Sequence, residues 1–208
     1  MVVHVGDAVA LGPYPDEVVS LLVESEVLCV MGNHDEWAAF GLPEPPPPWL
    51  REAAIAHQRW TRRQLSDSHR DAMKRWPYTL SLECGEVTAV FIHYARRHGE
   101  WSDDEPPAHP TGSDFDRLFA GVAGDVVVFG HVHRESDLTD GGRRFLNPGS
   151  VGCHDQAEAR ALVLTPVSSA VSGAKLAVRY DDAELLRAFE ERQVPWRDFI
   201  LRRFIRRR

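Results

Sequence analysis

Four apolar runs of this chain end in residues able to ligate a metal or move a proton. The endings are Gly6-Asp7, Gly32-Asn33-His34-Asp35, Ile92-His93 and Gly130-His131-Val132-His133. If the runs are strands, their last side chains meet at one rim of a sheet, where open α/β folds bind ligands. The gathered set is a carboxylate, an amide oxygen and several imidazoles. Oxygen and nitrogen donors without thiolate suit Mn, Fe, Zn or Ni. An ion held this way lowers the pKa of a bound water and clamps a phosphoryl group. Each piece also has an ordinary reading: Gly-Asp as a turn, a lone His as a surface or core residue. The order of the four endings, each closing an apolar run, favours the metal site.

The elements that must carry these residues follow from the same pattern. Val2–Val5 and Val27–Met31 read as strands, with a helix from Asp16, its predicted cap, through Leu22 between them. That is a βαβ unit. Pro43–Pro48 holds five prolines in six positions and predicts a stiff loop. Trp49–Arg75 predicts helix, broken near Ser66. Tyr78–Glu83 and Glu86–His93 predict a hairpin turning at Cys84-Gly85. Arg96–Gly112 is polar with three prolines and predicts a mobile loop. A short helix over Ser113–Phe119, capped by Ser113 or Asp114, should follow. Asp125–Phe129 and Arg143–Leu146 predict further strands, and Arg160–Thr165 with Lys175–Tyr180 an antiparallel pair. Asp182–Arg192 predicts helix, and Pro195 opens a last helical turn.

Composition excludes several classes. The 208 residues are 43% hydrophobic and 26% charged, which fits a globular chain and not a disordered or fibrous one. One domain over 1–208 is expected. No run reaches the roughly 20 apolar residues a membrane helix needs, and the start has no signal-peptide pattern. Three cysteines, Cys29, Cys84 and Cys153, are too few for a disulfide framework and predict a reducing, cytoplasmic setting. The net charge is −7 although Phe199–Arg208 carries five arginines, so the body is acidic and no stable nucleic-acid complex is expected. The arginine tail reads as solvated, with Phe199 and Phe204 anchoring a last helix. His57, His69 and His109 are expected to face solvent. His4, in the first strand, is expected to pack or to face a strand absent from this sequence. Asn147 and Ser150 flank a tight Pro-Gly turn.

The four endings, with Gly12-Pro13-Tyr14-Pro15-Asp16-Glu17-Val18-Val19, Leu146-Asn147-Pro148-Gly149-Ser150-Val151-Gly152 and Val194-Pro195-Trp196-Arg197-Asp198-Phe199-Ile200, resemble the calcineurin-like metallophosphoesterase superfamily. The likeness is to its small bacterial and archaeal phosphodiesterases. His93-Tyr94-Ala95, in place of the commoner His-Gly, is similar to a subgroup that includes bacterial diadenosine tetraphosphate hydrolases. The resemblance implies an α/β fold of four layers, a two-sheet β-sandwich flanked by helices. It implies hydrolysis of a phosphodiester, nucleotide or dinucleoside polyphosphate by a metal-activated hydroxide. One or two ions per chain are implied, manganese first, with Fe, Zn or Ni as alternatives. Asp7 would bridge two ions, Asn33, His93 and His131 would complete one, and His133 would belong to the other. His34 would be the cationic or proton-donating group beside the leaving oxygen. Arg96 and Arg97, three and four positions after His93, could meet a substrate phosphate; a solvated loop reads equally well there.

The family pattern also has an Asp-x-His motif on an earlier strand, followed by a helix, and neither is in this sequence. The resemblance makes both motif residues ligands of the His133 ion. A start upstream is therefore expected. The alternatives are a short form holding one ion and a catalytically impaired ligand-binding or regulatory remnant. Two-metal catalysis by this chain alone is expected to be weak or absent. The sheet edge left by a missing strand would favour a homo-oligomer. The partner expected otherwise is a small phosphate-containing substrate.

Overall fold

The computed structural model describes residues 1–205. Of the C-terminal arginines, those at 206–208 lie outside the described residues. The chain opens with strand β1 (Val3–His4), helix α1 (Pro15–Glu24) and strand β2 (Leu28–Cys29), and β1 pairs with β2 in parallel. This is the expected βαβ unit, with strands shorter than the apolar runs. Tyr14, not Asp16, is the N-cap of α1. Asp16 lies in the first turn and instead accepts hydrogen bonds from the Ser66 amide and from His69 Nδ1.

Helix α2 (Asn33–Phe40) begins inside the Gly-Asn-His-Asp segment. Helices α3 (Glu52–Gln64) and α4 (Asp67–Met73) break at Ser66, whose hydroxyl caps α4 by accepting from the His69 amide. Strands β3 (Thr79–Cys84) and β4 (Val87–Ile92) form the expected hairpin, turning at Gly85 with φ 70°. The segment read as a mobile loop instead carries a small ladder, β5 (Arg96–Arg97) and β6 (Glu100–Trp101). Helix α5 (Gly112–Leu118) follows, with Thr111 rather than Ser113 or Asp114 at its N-cap. Next come β7 (Val126–Phe129), β8 (Ser136–Asp140) and β9 (Arg143–Asn147). Strand β8 has no apolar run to announce it. The chain continues through β10 (Glu158–Val167) and β11 (Ala170–Arg179), then α6 (Ala183–Glu191), α7 (Arg197–Ile200) and a π-helical turn, Leu201–Ile205.

The fold is mixed α/β. Its central sheet has five strands in the order β3-β4-β7-β9-β8. β4, β7 and β9 run parallel, and β3 and β8 flank them antiparallel. Val126-Val-Val-Phe129 is buried throughout, as a central strand covered on both faces must be. On one face α5 packs Phe115 and Phe119 against Phe129 and Phe145. On the other, Val3 and Val5 of the first strand region and Leu162, Leu164 and Val171 of the β10–β11 hairpin cover Ala89, Val128 and Leu146. That second β layer is built from two strand pairs, β1–β2 and β10–β11. Among the described residues no helix is long and apolar enough to cross a membrane.

Candidate metal centre

The parallel strands deliver their carboxyl ends to one place. Asp7 follows β1, Asn33 opens α2 after β2, His93 follows β4 and His131 follows β7. Glycines make the approach possible. A Cβ on Gly32 would stand 2.2 Å from the Asp7 amide nitrogen, and one on Gly130 2.8 Å from the Val5 carbonyl. A Cβ on Gly6 would stand 2.6 Å from His93 Nδ1. Asp7, His131 and His133 themselves adopt left-handed backbone, at φ 56°, 64° and 54°. Side chains bearing a Cβ take that conformation at a cost, and such strain gathers at functional sites.

Asp35, fully buried, clamps the arrangement. Its Oδ2 accepts from the Gly32 amide and its Oδ1 from the Val9 amide, both at 3.1 Å, tying the Asp7 loop to the start of α2. Burial, and the charge of Asp7, push its carboxyl above the usual carboxylate range. Asn147, also fully buried, donates to the Gly130 carbonyl at 2.7 Å and accepts from the Gly149 amide at 2.8 Å. The expected Pro-Gly turn thus steadies the loop that carries His131.

The donors meet closely. His93 Nε2 lies 3.1 Å from Asp7 Oδ2, 3.2 Å from Asn33 Oδ1 and 3.3 Å from His131 Nδ1. Asn33 Oδ1 is also 3.2 Å from His131 Nδ1. His93 Nδ1 donates to the Val5 carbonyl at 2.8 Å, so the neutral ring turns the Nε2 lone pair toward the other three donors. Four lone-pair atoms face one another and call for a cation among them. Two ligands each about 2.1 Å from one ion lie about 3.0 Å apart at a right angle and about 3.4 Å apart at the tetrahedral angle. These four separations fall in that interval, so the residues fit a divalent ion. The outer contact from His93 to Val5 is the kind that fixes a ligating imidazole.

The electrostatics favour an ionised Asp7 and a neutral His131, while at His93 a proton competes with the ion. Burial opposes the charge on Asp7, but His93 and His34 outweigh it and hold its carboxyl well below the usual range. Burial likewise opposes charge on His93, and Asp7 overrides it upward. Burial, then His93, push His131 down to about 4, which keeps its ring neutral and able to ligate. Asp7, His93 and His131 form the one cluster of three His, Cys, Asp or Glu donors found among the described residues.

The remaining candidate residues are placed differently. His133 stands outside that cluster, its ring 5.8 Å from Phe204. His34 donates its backbone N–H to Asp7 Oδ1 at 2.9 Å, and its ring edges onto Trp37 at 5.4 Å. Arg96 and Arg97 are not among the groups meeting Asp7. Arg96 lies over Tyr78 at 3.7 Å and Trp101 at 4.6 Å and donates to the Gly99 carbonyl. Arg97 is half exposed and pairs with Asp104 at 3.2 Å. Phe204 packs beside the apolar group of Trp60, Phe189, Val194 and Ile200, as an anchor should.

Three further residues carry structure the sequence reading assigned otherwise or passed over. His57 is buried, not solvent-facing: its Nε2 accepts from the Leu11 amide and its Nδ1 donates to the Pro195 carbonyl, each at 3.1 Å. His69, half-buried, pairs with Asp16 at 2.7 Å. Gln58, 4% exposed, donates from Nε2 to His34 Nδ1 at 2.6 Å. Nothing in the sequence announces Gln58, whereas Asp35 stands inside a motif already singled out.

A hypothetical protein from Pyrococcus horikoshii is similar in structure at TM-score 0.78 and 16% identity, over 98% of this chain and 84% of that one. A metallophosphoesterase from Sphaerobacter thermophilus is similar at TM-score 0.66 and 22% identity, over 96% and 84%. At these identities the two likenesses establish the fold. No curated protein matches the chain. The sequence profile of the calcineurin-like phosphoesterase superfamily domain matches residues 1–169, which takes in every donor described above, and the chain belongs to that superfamily.

Proposed function

We propose that this chain is a metal-dependent phosphoester hydrolase whose substrate is a phosphodiester, a nucleotide or a dinucleoside polyphosphate. The observation that carries the reading is the convergence of Asp7, Asn33, His93 and His131 with their lone pairs inward. These four would hold one ion, manganese first among Mn, Fe, Zn and Ni. Asp7 and His133 would serve a second. A bound divalent ion supplies Lewis acidity, bringing the pKa of water toward neutrality and offsetting charge on phosphate oxygens.

The chain's own groups do the rest. Asp7 brings the negative charge that selects a cation over a neutral ligand. Asn33 adds an oxygen without adding charge. Val5 keeps His93 in the ligating tautomer. His34, tied to Asp7 through its backbone, offers a ring nitrogen to the leaving oxygen. Three free cysteines support a reducing, cytoplasmic setting.

The test is hydrolysis of bis-p-nitrophenyl phosphate and diadenosine tetraphosphate with each metal in turn. Activity that His131→Ala abolishes supports the enzyme. Retained nucleotide binding with no turnover under any metal would establish a ligand-binding remnant instead.

A further inference from the structure

Three aromatic rings near the metal centre have no place in the core. Trp37 and Phe40 are neighbours one turn apart on α2, and Trp49 follows the proline-rich loop. None of them belongs to the hydrophobic clusters that fill the core. Trp49 is 62% exposed and Phe40 54%, while Trp37 is half-buried. Single apolar residues on a surface mean little, but adjoining ones mark a binding site. These adjoin one another and the site already described. The Trp49 ring lies 6.1 Å from Trp37, and Trp37 lies 5.4 Å from His34, edge-on. The His34 amide in turn donates to Asp7 Oδ1 at 2.9 Å. A chain of contacts thus runs from the metal centre, through the histidine assigned to the leaving oxygen, to solvent at Trp49. The loop that presents Trp49 is held. Five prolines in Pro43–Pro48 restrict its backbone. Glu44 pairs with Arg59 of α3 at 3.1 Å, and the Leu50 amide donates to the Pro47 carbonyl at 2.9 Å. A ring fixed before its ligand arrives loses little freedom on binding.

We propose that Trp49, backed by Trp37, is a stacking platform for a nucleobase carried on the leaving group of the substrate. The platform presupposes the phosphoesterase reading of the site and narrows its substrate to one that releases a nucleoside or nucleotide. The ligand must join a phosphate, which the cation-seeking donors would take, to a flat apolar group a short distance beyond His34. A nucleotide has that form. The size of the patch agrees. An aromatic side chain offers about 150–250 Å² when fully open, so three partly covered rings present less than the roughly 800 Å² per side that a stable protein interface buries. They suit one planar group. Stacking on an indole accepts any base, because every base has a π-face. Phe40, the next ring along α2, extends the same apolar surface.

AMP and ribose 5-phosphate differ only by the base, and the comparison is made on the full chain with manganese. Affinity is read by calorimetry, or as kcat/KM where phosphate is released. Wild type should favour AMP by roughly 5- to 150-fold, the range of one stacked base. Trp49→Ala should erase that preference, and Trp49→Phe, which keeps a ring, should retain most of it. The far-UV spectrum of both variants should match wild type, since Trp49 lies outside the core clusters. A wild type that treats the two ligands alike, or a preference for AMP that survives Trp49→Ala, overturns the proposal. Phosphate released equally well from both compounds would leave the hydrolase standing and remove the platform. A preference for AMP that Trp49→Ala erases, in a chain that hydrolyses no phosphoester, would keep the platform and remove the hydrolase.

Discussion

His93 shows how one side chain can require a cation. Its Nδ1–H is spent on Val5, and its other nitrogen faces a carboxylate, an amide oxygen and a second imidazole within 3.3 Å. Removing a direct ligand should cost more than the 10–100-fold typical of an outer contact. We therefore expect His131→Ala to weaken manganese binding by more than about 100-fold by calorimetry, with the far-UV spectrum intact. Binding at wild-type strength would move the ion elsewhere. Asp35 acts one step out. Asp35→Ala strands two buried amides, Val9 and Gly32, at about 1–3 kcal/mol each. Urea unfolding should register a loss of roughly 2–6 kcal/mol from that pair, and an unchanged midpoint would deny the clamp.

Among the elements, α2 does the most with the least length. It is eight residues long, and its first turn carries Asn33, His34 and Asp35. It can sit against Asp7 because Gly32 has no side chain, a Cβ there being 2.3 Å from Asp7 Oδ1. Gly32→Ala should leave α2 helical and drive the Asp7 loop away. The expected result is near-native circular dichroism with manganese binding lost. A variant that binds normally would show that the two segments can part without harm. The site thus depends on backbone distance as much as on ligand identity.

At the scale of the molecule, His57 joins three distant stretches: the loop at Leu11, helix α3 and the C-terminal segment at Pro195. Burial, then the nearby His34, push its ring down to about 4, from an ordinary value of 6.5. The unfolded chain therefore binds the extra proton between those values, and the folded one does not. This contribution is complete above about pH 6.5 and is lost as pH falls toward 4, to a total of about 3 kcal/mol. Thermal unfolding across pH 7 to 4.5 should show a steeper fall for wild type than for His57→Gln. Equal slopes would remove His57 as a cause.

The sequence by itself determined the donors and their order. Apolar runs ending in Asp7, Asn33, His93 and His131 are legible because a strand that stops in a cleft must change abruptly from apolar to polar. The same logic made β4 and β7 readable, and a capping pattern made the break at Ser66 readable. It failed for β8, whose Ser136-Asp-Leu-Thr-Asp140 is held by pairing to β9 and not by its own hydrophobicity. It does not reach Arg96 either, whose guanidinium is held over Tyr78 and Trp101 and lies 3.7 Å from Glu36. Only the tertiary structure decided that three donors fall within 3.3 Å of His93 Nε2, that Asp35 and Asn147 tie their loops, and that Gln58 meets His34. Periodicity and composition report what a residue needs locally. Which distant group satisfies that need is set by packing, where a buried amide or imidazole must find its partner from whatever the fold brings near.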